Sequence, residues 1–535
     1  MGKRVLLAAL DAAGGFAAEE VGIATVAATL IEHGHEVRFL YVDSGSITNL
    51  PDVIEFEPQV FGLAIYNVTR GPSLELIRTI RSHFPDIMIC AGGYLPTYYP
   101  EELLREAPEI DVVVRGEGEL TMVELAAGPT DFAAIQGLSY RAGDRIASTP
   151  DAPLIADLGA LPFPVVESLM TDIDPHVVYA CSSRGCNHRC SFCLSPDFNR
   201  LSWRGMEPEQ LVDGIQMVYD RFEKRIFGFT DNSYEDSGGG KRYARIHAIA
   251  DELIRRGLKI QYFINLRARF GRYASDELMQ TLLKSGLTVV YVGIESGSDE
   301  DLVRYGKRTT DADNRQSIEF FRKYGLSPSI GFISFNPYST FESLRANLAF
   351  LHDYGYGSQL SFTHRMLLYR GTEMMRMAAE EGLLIKSDSY EVHDYRFTDE
   401  RIGVLSHFLE AQITPIRLRH GLGTALPYLF EVLKSTLSYY RREFPPENRD
   451  VWRAAELVET RIDALRNRLN VSNTALFSAL VDLSERGWKE PEALRLLDGH
   501  FDMSILSQDV SRIRQLKSDL DVTLVDAGLH PNALS

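Results

Sequence analysis

The sequence predicts an α/β protein of about three domains with a helical C-terminal region. Its 535 residues exceed what one hydrophobic core usually holds. Short β-rich runs alternate with helical segments early in the chain, whereas the last part shows only helical periodicity. We expect a first domain at 1–130, a linker at 131–175, a second domain at 176–388 and a helical domain at 389–535.

The first domain is predicted to be a doubly wound parallel sheet. Helical segments such as Val21–His33 and Ser73–Phe84 separate its β-rich runs. Continuous apolar strands separated by helices are typical of a parallel sheet that is covered on both faces. The β-rich runs are Val5–Leu10, Val37–Val42, Val60–Tyr66, Ile87–Ala91 and Val112–Val114.

Unusual residues follow three of these strands. Ligands of parallel sheets bind at the carboxyl ends of the strands, and glycines there let a ligand approach the backbone. A dinucleotide is not supported, because the first strand runs into Asp11–Gly15 and not into a Gly-x-Gly-x-x-Gly turn. The candidate ligand residues are Tyr66, Asn67, Thr69, Gly92, Gly93, Arg115, Gly116 and Glu117.

Composition excludes several classes of protein. The net charge of −18 disfavours a general nucleic-acid partner, since an acidic chain repels phosphates. Five cysteines in 535 residues are too few for a disulfide scaffold. No apolar run reaches the ~18 residues that span a bilayer. We therefore expect a cytoplasmic protein without a membrane span.

Three of the cysteines lie close together in a loop after the short strand Val177–Ala180. Cys186, Cys190 and Cys193 form a Cys-x3-Cys-x2-Cys pattern whose thiolates can converge on one centre. A structural zinc site would need a fourth ligand, and no second cysteine pair exists. Three thiolates suit a four-iron cubane with one iron left open, so an iron–sulfur centre is favoured over zinc.

This cysteine pattern resembles that of the radical S-adenosylmethionine (SAM) superfamily. The resemblance implies a partial (β/α)6 barrel, with a 4Fe–4S cluster on the three cysteines and SAM on the open iron. Six candidate strands can be assigned to it: Val177–Ala180, Ile226–Thr230, Gln261–Leu266, Thr288–Val292, Ser329–Ser334 and Gln359–Ser361.

The same resemblance implies where SAM would bind. Asp231 and Asn232 match the region that contacts the SAM amino group, and Arg267 offers a guanidinium to the SAM carboxylate. Glu295 and Ser296 lie in a Gly-Ile-Glu-Ser-Gly run that is similar to the family's ribose contact. The fifth strand departs from the family pattern, because Phe335 replaces a glycine near the expected adenine contact.

The first domain resembles the Rossmann-like cobalamin-binding module that precedes the barrel in one branch of this superfamily. The Gly92-Gly93 strand end and the run from Arg115 to Glu119 carry the likeness. The chain lacks the Asp-x-His-x-x-Gly signature through which some cobalamin proteins supply a histidine to cobalt. The lower face of the cobalt would then be open or met by another group.

Together these resemblances imply a cobalamin-dependent radical SAM methyltransferase. Its expected partners are a small-molecule or peptide substrate and an electron donor such as flavodoxin or ferredoxin. The expected reaction is C-methylation of an unactivated carbon by a 5′-deoxyadenosyl radical and methylcobalamin. The alternatives are a radical rearrangement, cyclisation or ring contraction, and a non-catalytic corrinoid or iron–sulfur binding or sensing protein. No catalytic side chain is assigned.

Overall fold

The computed structural model describes residues 2–10, 21–43, 46–129, 131–167, 169–170, 176–235, 243–385, 390, 393–419, 422–498, 500 and 503–527. The turn after the first strand, Asp11–Gly15, lies outside these residues. Within the described part, no helix is both long enough and apolar enough to cross a membrane.

The N-terminal region forms the predicted sheet. Its strands are β1 (Arg4–Ala9), β2 (Glu36–Leu40), β3 (Val42–Asp43), β4 (Ser46–Ile47), β5 (Val60–Ala64), β6 (Met88–Gly92), β7 (Val112–Val114), β8 (Leu138–Ala142) and β9 (Arg145–Ser148). Seven of them form one sheet in the order β2-β1-β5-β6-β7-β8-β9, and β3 pairs with β4. The pairings from β2 to β7 are parallel.

Helices cover both faces of this sheet, which confirms the predicted doubly wound fold. Along β1, Val5 and Leu7 join one buried core while Leu6 and Ala8 join the other, because successive side chains point to opposite faces. The covering helices are α1 (Val21–Glu32), α2 (Leu50–Phe56), α3 (Arg70–His83), α4 (Tyr94–Tyr98), α5 (Pro100–Glu106) and α6 (Glu119–Ala126).

The range 131–175, predicted to be a linker, contains regular secondary structure. Strands β8 and β9 form an antiparallel hairpin that extends the sheet beyond β7. Arg141 fixes the hairpin by donating to the backbone carbonyls of Leu104 and Pro108, each at 2.7 Å. These partners are about thirty residues or more away along the chain, so local sequence does not reveal them.

A second sheet of five parallel strands follows, in the order β10-β13-β14-β15-β16. Ser275, Ser298, Thr310 and Thr340 cap helices around it by accepting backbone N–H bonds. The strands of the sheet are β10 (Val178–Ala180), β13 (Ile226–Phe229), β14 (Gln261–Arg267), β15 (Leu287–Glu295) and β16 (Ser329–Phe332). A separate antiparallel hairpin is formed by β11 (Ser183–Gly185) and β12 (Trp203–Gly205). The helices are α7 (Ser195–Phe198), α8 (Pro208–Phe222), α9 (Ala244–Arg255), α10 (Phe270–Tyr273), α11 (Asp276–Lys284), α12 (Asp299–Arg304), α13 (Asp311–Lys323), α14 (Phe341–Asp353) and α15 (Glu373–Glu380).

The predicted sixth barrel strand at Gln359–Ser361 is not a strand. Two 3-10 turns, Tyr356–Gln359 and Ser361–Thr363, occupy this position. Leu360 between them has a left-handed φ of 60°, which a regular strand does not accommodate. Beyond β16 the described residues show isolated bridges and no further strand, and one of these bridges, from Phe335 to Arg365, is parallel.

The C-terminal region is helical from Glu400 onward, as predicted. Its helices are α16 (Glu400–Arg419), α17 (Leu422–Pro427), a π-helical segment (Tyr428–Leu433), α18 (Lys434–Glu443), α19 (Arg449–Arg486), α20 (Glu490–Leu497) and α21 (Met503–Asp526).

Arg466 of α19 fastens this region to the barrel. It donates to the carbonyl oxygens of Tyr354 at 3.1 Å and Gly355 at 3.4 Å, and lies 3.6 Å from Glu431. Glu431 is fully buried and also accepts from Gln359. Burial raises the pKa of Glu431 to about 8 in spite of the neighbouring arginine. The 3-10 turns are thus part of the surface on which the C-terminal helices pack.

We expect Arg466→Ala to lower the free energy of unfolding by about 3 kcal/mol, because Tyr354, Gly355 and Glu431 lose a buried partner. Urea unfolding followed by circular dichroism measures this. The control is Arg468→Ala, on the same helix as Arg466, which removes an exposed ion pair with Asp509 of α21. It should lower the free energy of unfolding by less than about 1 kcal/mol. Equal losses in the two variants would contradict the assignment.

Candidate functional site

Two adjoining cavities lie where the carboxyl ends of the two sheets face each other. The inter-sheet cavity, of about 530 Å³, is lined by residues of both sheets, among them Tyr66, Gly93 and Phe263. The cysteine cavity, of about 430 Å³, contains Cys186, Cys190 and Cys193. Thr230, Asn232 and Asn265 line both cavities.

The cysteine loop is held in place by backbone hydrogen bonds. Ser191 donates through its N–H to Tyr305 O and through its hydroxyl to Arg304 O, both at 2.9 Å. Its carbonyl accepts from Met374 N at 2.7 Å. Gly185 enters the loop with a φ of 90°, and a Cβ there would collide with the Ser202 carbonyl. The loop is therefore anchored on both sides of Cys190.

The cysteine thiols are largely buried, and burial controls their protonation. Burial raises the pKa of Cys186 and Cys193, and raises that of Cys190 to about 11, which favours the neutral thiols over the thiolates. Metal binding displaces such protons. Lys307, only 9% exposed, lies 3.4 Å from Glu295 and counters the negative charge of the loop.

Among the described residues, no three His, Cys, Asp or Glu side chains are arranged to hold a single metal ion. In a four-iron cubane each thiolate binds a different iron, so the three sulfurs need not converge on one point.

Four of the five predicted SAM residues meet at the cysteine cavity. Asp231, Asn232, Arg267 and Glu295 line it. Ser296 does not, because its side chain is buried and donates to Asn347 Oδ1 at 2.7 Å.

Asp231 and Arg267 are held by hydrogen bonds within the protein. The Asp231 carboxylate accepts from Ser182 N at 3.0 Å and from the Ser182 hydroxyl at 2.6 Å. The Arg267 Nε donates to the buried Glu235 at 2.7 Å. Lys307, which the sequence analysis missed, is a further cation that lines this cavity.

The predicted cobalamin residues divide into two groups. Five of them line the inter-sheet cavity: Tyr66, Gly92, Gly93, Gly116 and Glu117.

The other three are not among its lining residues. The Thr69 hydroxyl accepts from Tyr66 N at 3.1 Å and so caps the turn. Arg115 pairs with Asp151 at 2.6 Å and supports the hairpin. Asn67 is hydrogen-bonded to Tyr369.

A buried charge network joins the two sheets beside the inter-sheet cavity. Arg184, on β11, lies 3.1 Å from Glu117 and 2.5 Å from Glu119. Arg204, on β12, lies 2.9 Å from Glu117. Burial alone would raise the pKa of Glu117, but the hydrogen bond from Arg204 and the charge of Arg184 hold it below its ordinary value. Both glutamates thus bind the cysteine-loop region to the end of β7.

Sequence analysis missed Tyr94, which projects between the two sheets. Its ring centroid lies 4.6 Å from that of Phe198, and its hydroxyl is hydrogen-bonded to Asn232. Burial raises the pKa of Tyr94 to about 12, so it is a neutral phenol near pH 7. Its position directly after Gly93 was a usable signal, whereas Lys307 follows no recognisable strand end.

Comparison with known families identifies both halves of the site. The B12 binding domain matches residues 7–126, and the radical SAM superfamily matches residues 181–351. The chain is a radical SAM enzyme with a B12-binding domain. This confirms the expected cofactors, cobalamin for the first domain and SAM with a 4Fe–4S cluster for the second.

Relatives of this radical SAM enzyme include proteins named for different reactions. An uncharacterized methyltransferase of Pyrococcus horikoshii is 25% identical over 73% of this chain and 84% of its own length. The anaerobic magnesium-protoporphyrin IX monomethyl ester cyclase of Cereibacter sphaeroides is 28% identical, and the match spans 52% of this chain but only 47% of the cyclase. The hopanoid C-3 methylase of Methylococcus capsulatus is 24% identical over 59% of this chain and 61% of its own length.

Solved structures show the same fold. The cobalamin-dependent S-adenosylmethionine radical enzyme OxsB superposes with a TM-score of 0.68 at 17% identity, covering 97% of this chain and 84% of OxsB. The radical S-adenosylmethionine methyltransferase TsrM of Kitasatospora setae gives a TM-score of 0.61 at 18% identity, covering 78% of this chain and 90% of TsrM.

Removing the charge that joins the two sheets should destabilise the radical SAM enzyme. We expect Arg184→Met to lower the free energy of unfolding by about 3 kcal/mol, since Glu119 would be left buried without its partner. Urea unfolding followed by tryptophan fluorescence measures the change. The control is Arg221→Met, which removes an exposed ion pair with Glu167. It should lower the free energy of unfolding by less than about 1 kcal/mol. A loss no larger than that of the control would show that the network is not structural.

Proposed function

We propose that this radical SAM enzyme methylates an unactivated carbon of a small-molecule or peptide substrate with the help of cobalamin. The observation that carries the proposal is the continuity of its two cavities through Thr230, Asn232 and Asn265. A substrate carbon at this junction would be close to groups bound on either side, and such proximity is a major source of rate enhancement. The methyltransferase names of two relatives support this reaction.

The cysteine cavity fits a cluster with SAM. Cys186, Cys190 and Cys193 would hold the cluster, which with SAM supplies a carbon radical that can remove a hydrogen atom. Asn232, Arg267 and Glu295 are the polar side chains that would orient SAM. Lys307 would offset negative charge beside the thiolates.

The inter-sheet cavity fits a cobalamin ring. At Gly22 and Gly116, both in its lining, a Cβ would meet no heavy atom within 4 Å, so the backbone borders open space. No described lining residue is a histidine, which agrees with the missing histidine signature. Cobalamin supplies a transferable methyl group when it is bound there.

The chain itself would exclude water and competing proton transfer at the junction. Phe198, Phe229 and Phe263 line the apolar side of the inter-sheet cavity. Among the described residues, those that line both cavities are Thr230, Asn232 and Asn265, whose side chains are neutral. Such a lining suits hydrogen-atom transfer, which needs no general base, and shields a reactive carbon from solvent.

A radical rearrangement or cyclisation is the second candidate. A relative of 28% identity is a cyclase, and a relative of 23% identity is the 4'-phospho-dehydrooxetanocin synthase of Priestia megaterium. Incubating the reduced holoenzyme with metabolite extract and methyl-deuterated SAM separates the two reactions. A product that carries one labelled methyl group supports methylation, whereas an unlabelled isomer or cyclised product would support the second candidate.

Alanine at Cys186, Cys190 or Cys193 should reduce bound iron and SAM cleavage to background, because two thiolates do not hold a four-iron cluster. Iron analysis, electron paramagnetic resonance and 5′-deoxyadenosine formation measure this. Cys181→Ala is the matched control, since Cys181 is outside the motif and lies 3.0 Å from Thr230. It should retain the iron. Iron retention in a motif variant would refute the cluster assignment.

Filling the inter-sheet cavity should expel cobalamin. Gly22 is helical, so Gly22→Trp adds bulk without a left-handed backbone, and we expect cobalamin affinity to fall at least about tenfold. Absorbance of bound cobalamin after gel filtration measures the effect. Gly71→Trp, on α3 and outside the cavity, adds the same bulk in open space and should bind normally. Unchanged binding in Gly22→Trp would place cobalamin elsewhere.

A further inference from the structure

A short helix of the first domain is tied to the wall of the inter-sheet cavity. Helix α4 (Tyr94–Tyr98) begins directly after Gly93, which lines that cavity together with Gly116. The Thr97 hydroxyl donates to Gly93 O at 2.8 Å and accepts from Gly116 N at 3.0 Å. One side chain of α4 thus joins the segments that follow β6 and β7, so the position of the helix depends on the position of this wall.

The same helix contacts the barrel through two tyrosines. The ring centroid of Tyr94 lies 4.6 Å from that of Phe198, on α7. The Tyr98 hydroxyl donates to Leu194 O at 3.4 Å, and Leu194 directly follows Cys193. Residues four apart on a helix lie on one face, so both tyrosines reach the barrel side by side. Helix α4 therefore lies between the wall of one cavity and the cysteine loop of the other.

Tyr94 also reaches the residues that the two cavities share. Its hydroxyl is hydrogen-bonded to Asn232, which lines both cavities, and Tyr94 itself lines the inter-sheet cavity. Asn265, also in both linings, donates to Asp231 O at 3.0 Å and so fixes the backbone next to Asn232. The side chain of Asn232 is thus held from the first domain, while the adjoining backbone is held from the barrel.

We propose that Tyr94 is a positioning residue that couples the binding of cobalamin to the binding of SAM. The inference rests on the proposed function, in which Asn232 orients SAM. Cobalamin in the inter-sheet cavity would lie against Gly93 and Gly116 and so fix α4, and with it the hydroxyl that holds Asn232. When one ligand has ordered a shared element, a second ligand that needs the same element loses less entropy on binding. Each cofactor should therefore raise the affinity for the other.

The test measures both affinities on the full-length, cluster-loaded protein. Equilibrium dialysis with tritiated SAM gives the SAM dissociation constant with and without hydroxocobalamin. We expect cobalamin to lower that constant at least about fivefold, a typical coupling between two sites. Since coupling is reciprocal, SAM should lower the dissociation constant of hydroxocobalamin by the same factor, within about twofold.

Tyr94→Phe keeps the ring beside Phe198 and removes only the hydroxyl. We expect it to reduce the coupling to less than about twofold, while the cobalamin affinity measured without SAM stays within about twofold of wild type. A merely structural defect would instead weaken cobalamin binding itself. In an Asn232→Ala background, Tyr94→Phe should cause no further loss of SAM affinity, because the two residues act as one unit.

Tyr140→Phe is the matched control. Tyr140 lies on β8 of the same sheet, its ring centroid is 5.4 Å from that of Phe132, and it lines neither cavity. This variant should keep the wild-type coupling. Undiminished coupling in Tyr94→Phe, equal loss in both variants, or no coupling in a wild type that binds both cofactors would overturn the inference. A wild type that fails to bind cobalamin or SAM would instead refute the proposed function.

Discussion

The pairing of Arg184 with Glu117 and Glu119 is the constraint on which the geometry of the site depends. All three side chains are largely removed from solvent, at 17%, 5% and 3% exposure. A buried charge without its partner is strongly unfavourable, so the two sheets keep the one arrangement that satisfies these groups. That arrangement turns the carboxyl end of β7 towards the hairpin β11–β12 and encloses the inter-sheet cavity between them.

The two cavities differ in chemical character even though they share a rim. Charged groups such as Arg267, Glu295 and Lys307 surround the cysteine cavity. The inter-sheet cavity is bordered mainly by glycines, aromatic rings and aliphatic side chains. A polar, charged cofactor would contact the charged groups of the cysteine cavity, and a broad, flat cofactor would contact the apolar lining of the inter-sheet cavity. A substrate between the two cofactors would lie next to neutral amides.

The strands of both sheets could be predicted because most are continuous apolar runs. Val112–Val114 is a strand over the residues predicted, and five of the six predicted barrel strands also hold within a few residues. Gln359–Ser361 failed because Gln359 is fixed by Glu431, a residue far along the chain, and Leu360 takes a left-handed conformation. The hairpin β8–β9 was missed for a similar reason, since Arg141 stabilises it through distant carbonyl groups.

The sequence by itself determined the cysteine spacing, the alternation of strands and helices, and the strand ends at which ligand residues lie. Each of these depends on residues that are neighbours in the chain. Only the tertiary structure decided which side chains reach a cavity. Glu295 points into the cysteine cavity and Ser296 into the core because the β15–β16 register shifts there and Glu295 has a φ of 71°. Lys307 lines the same cavity, where Glu295 balances its charge. Local sequence does not specify the turn that brings these two residues together.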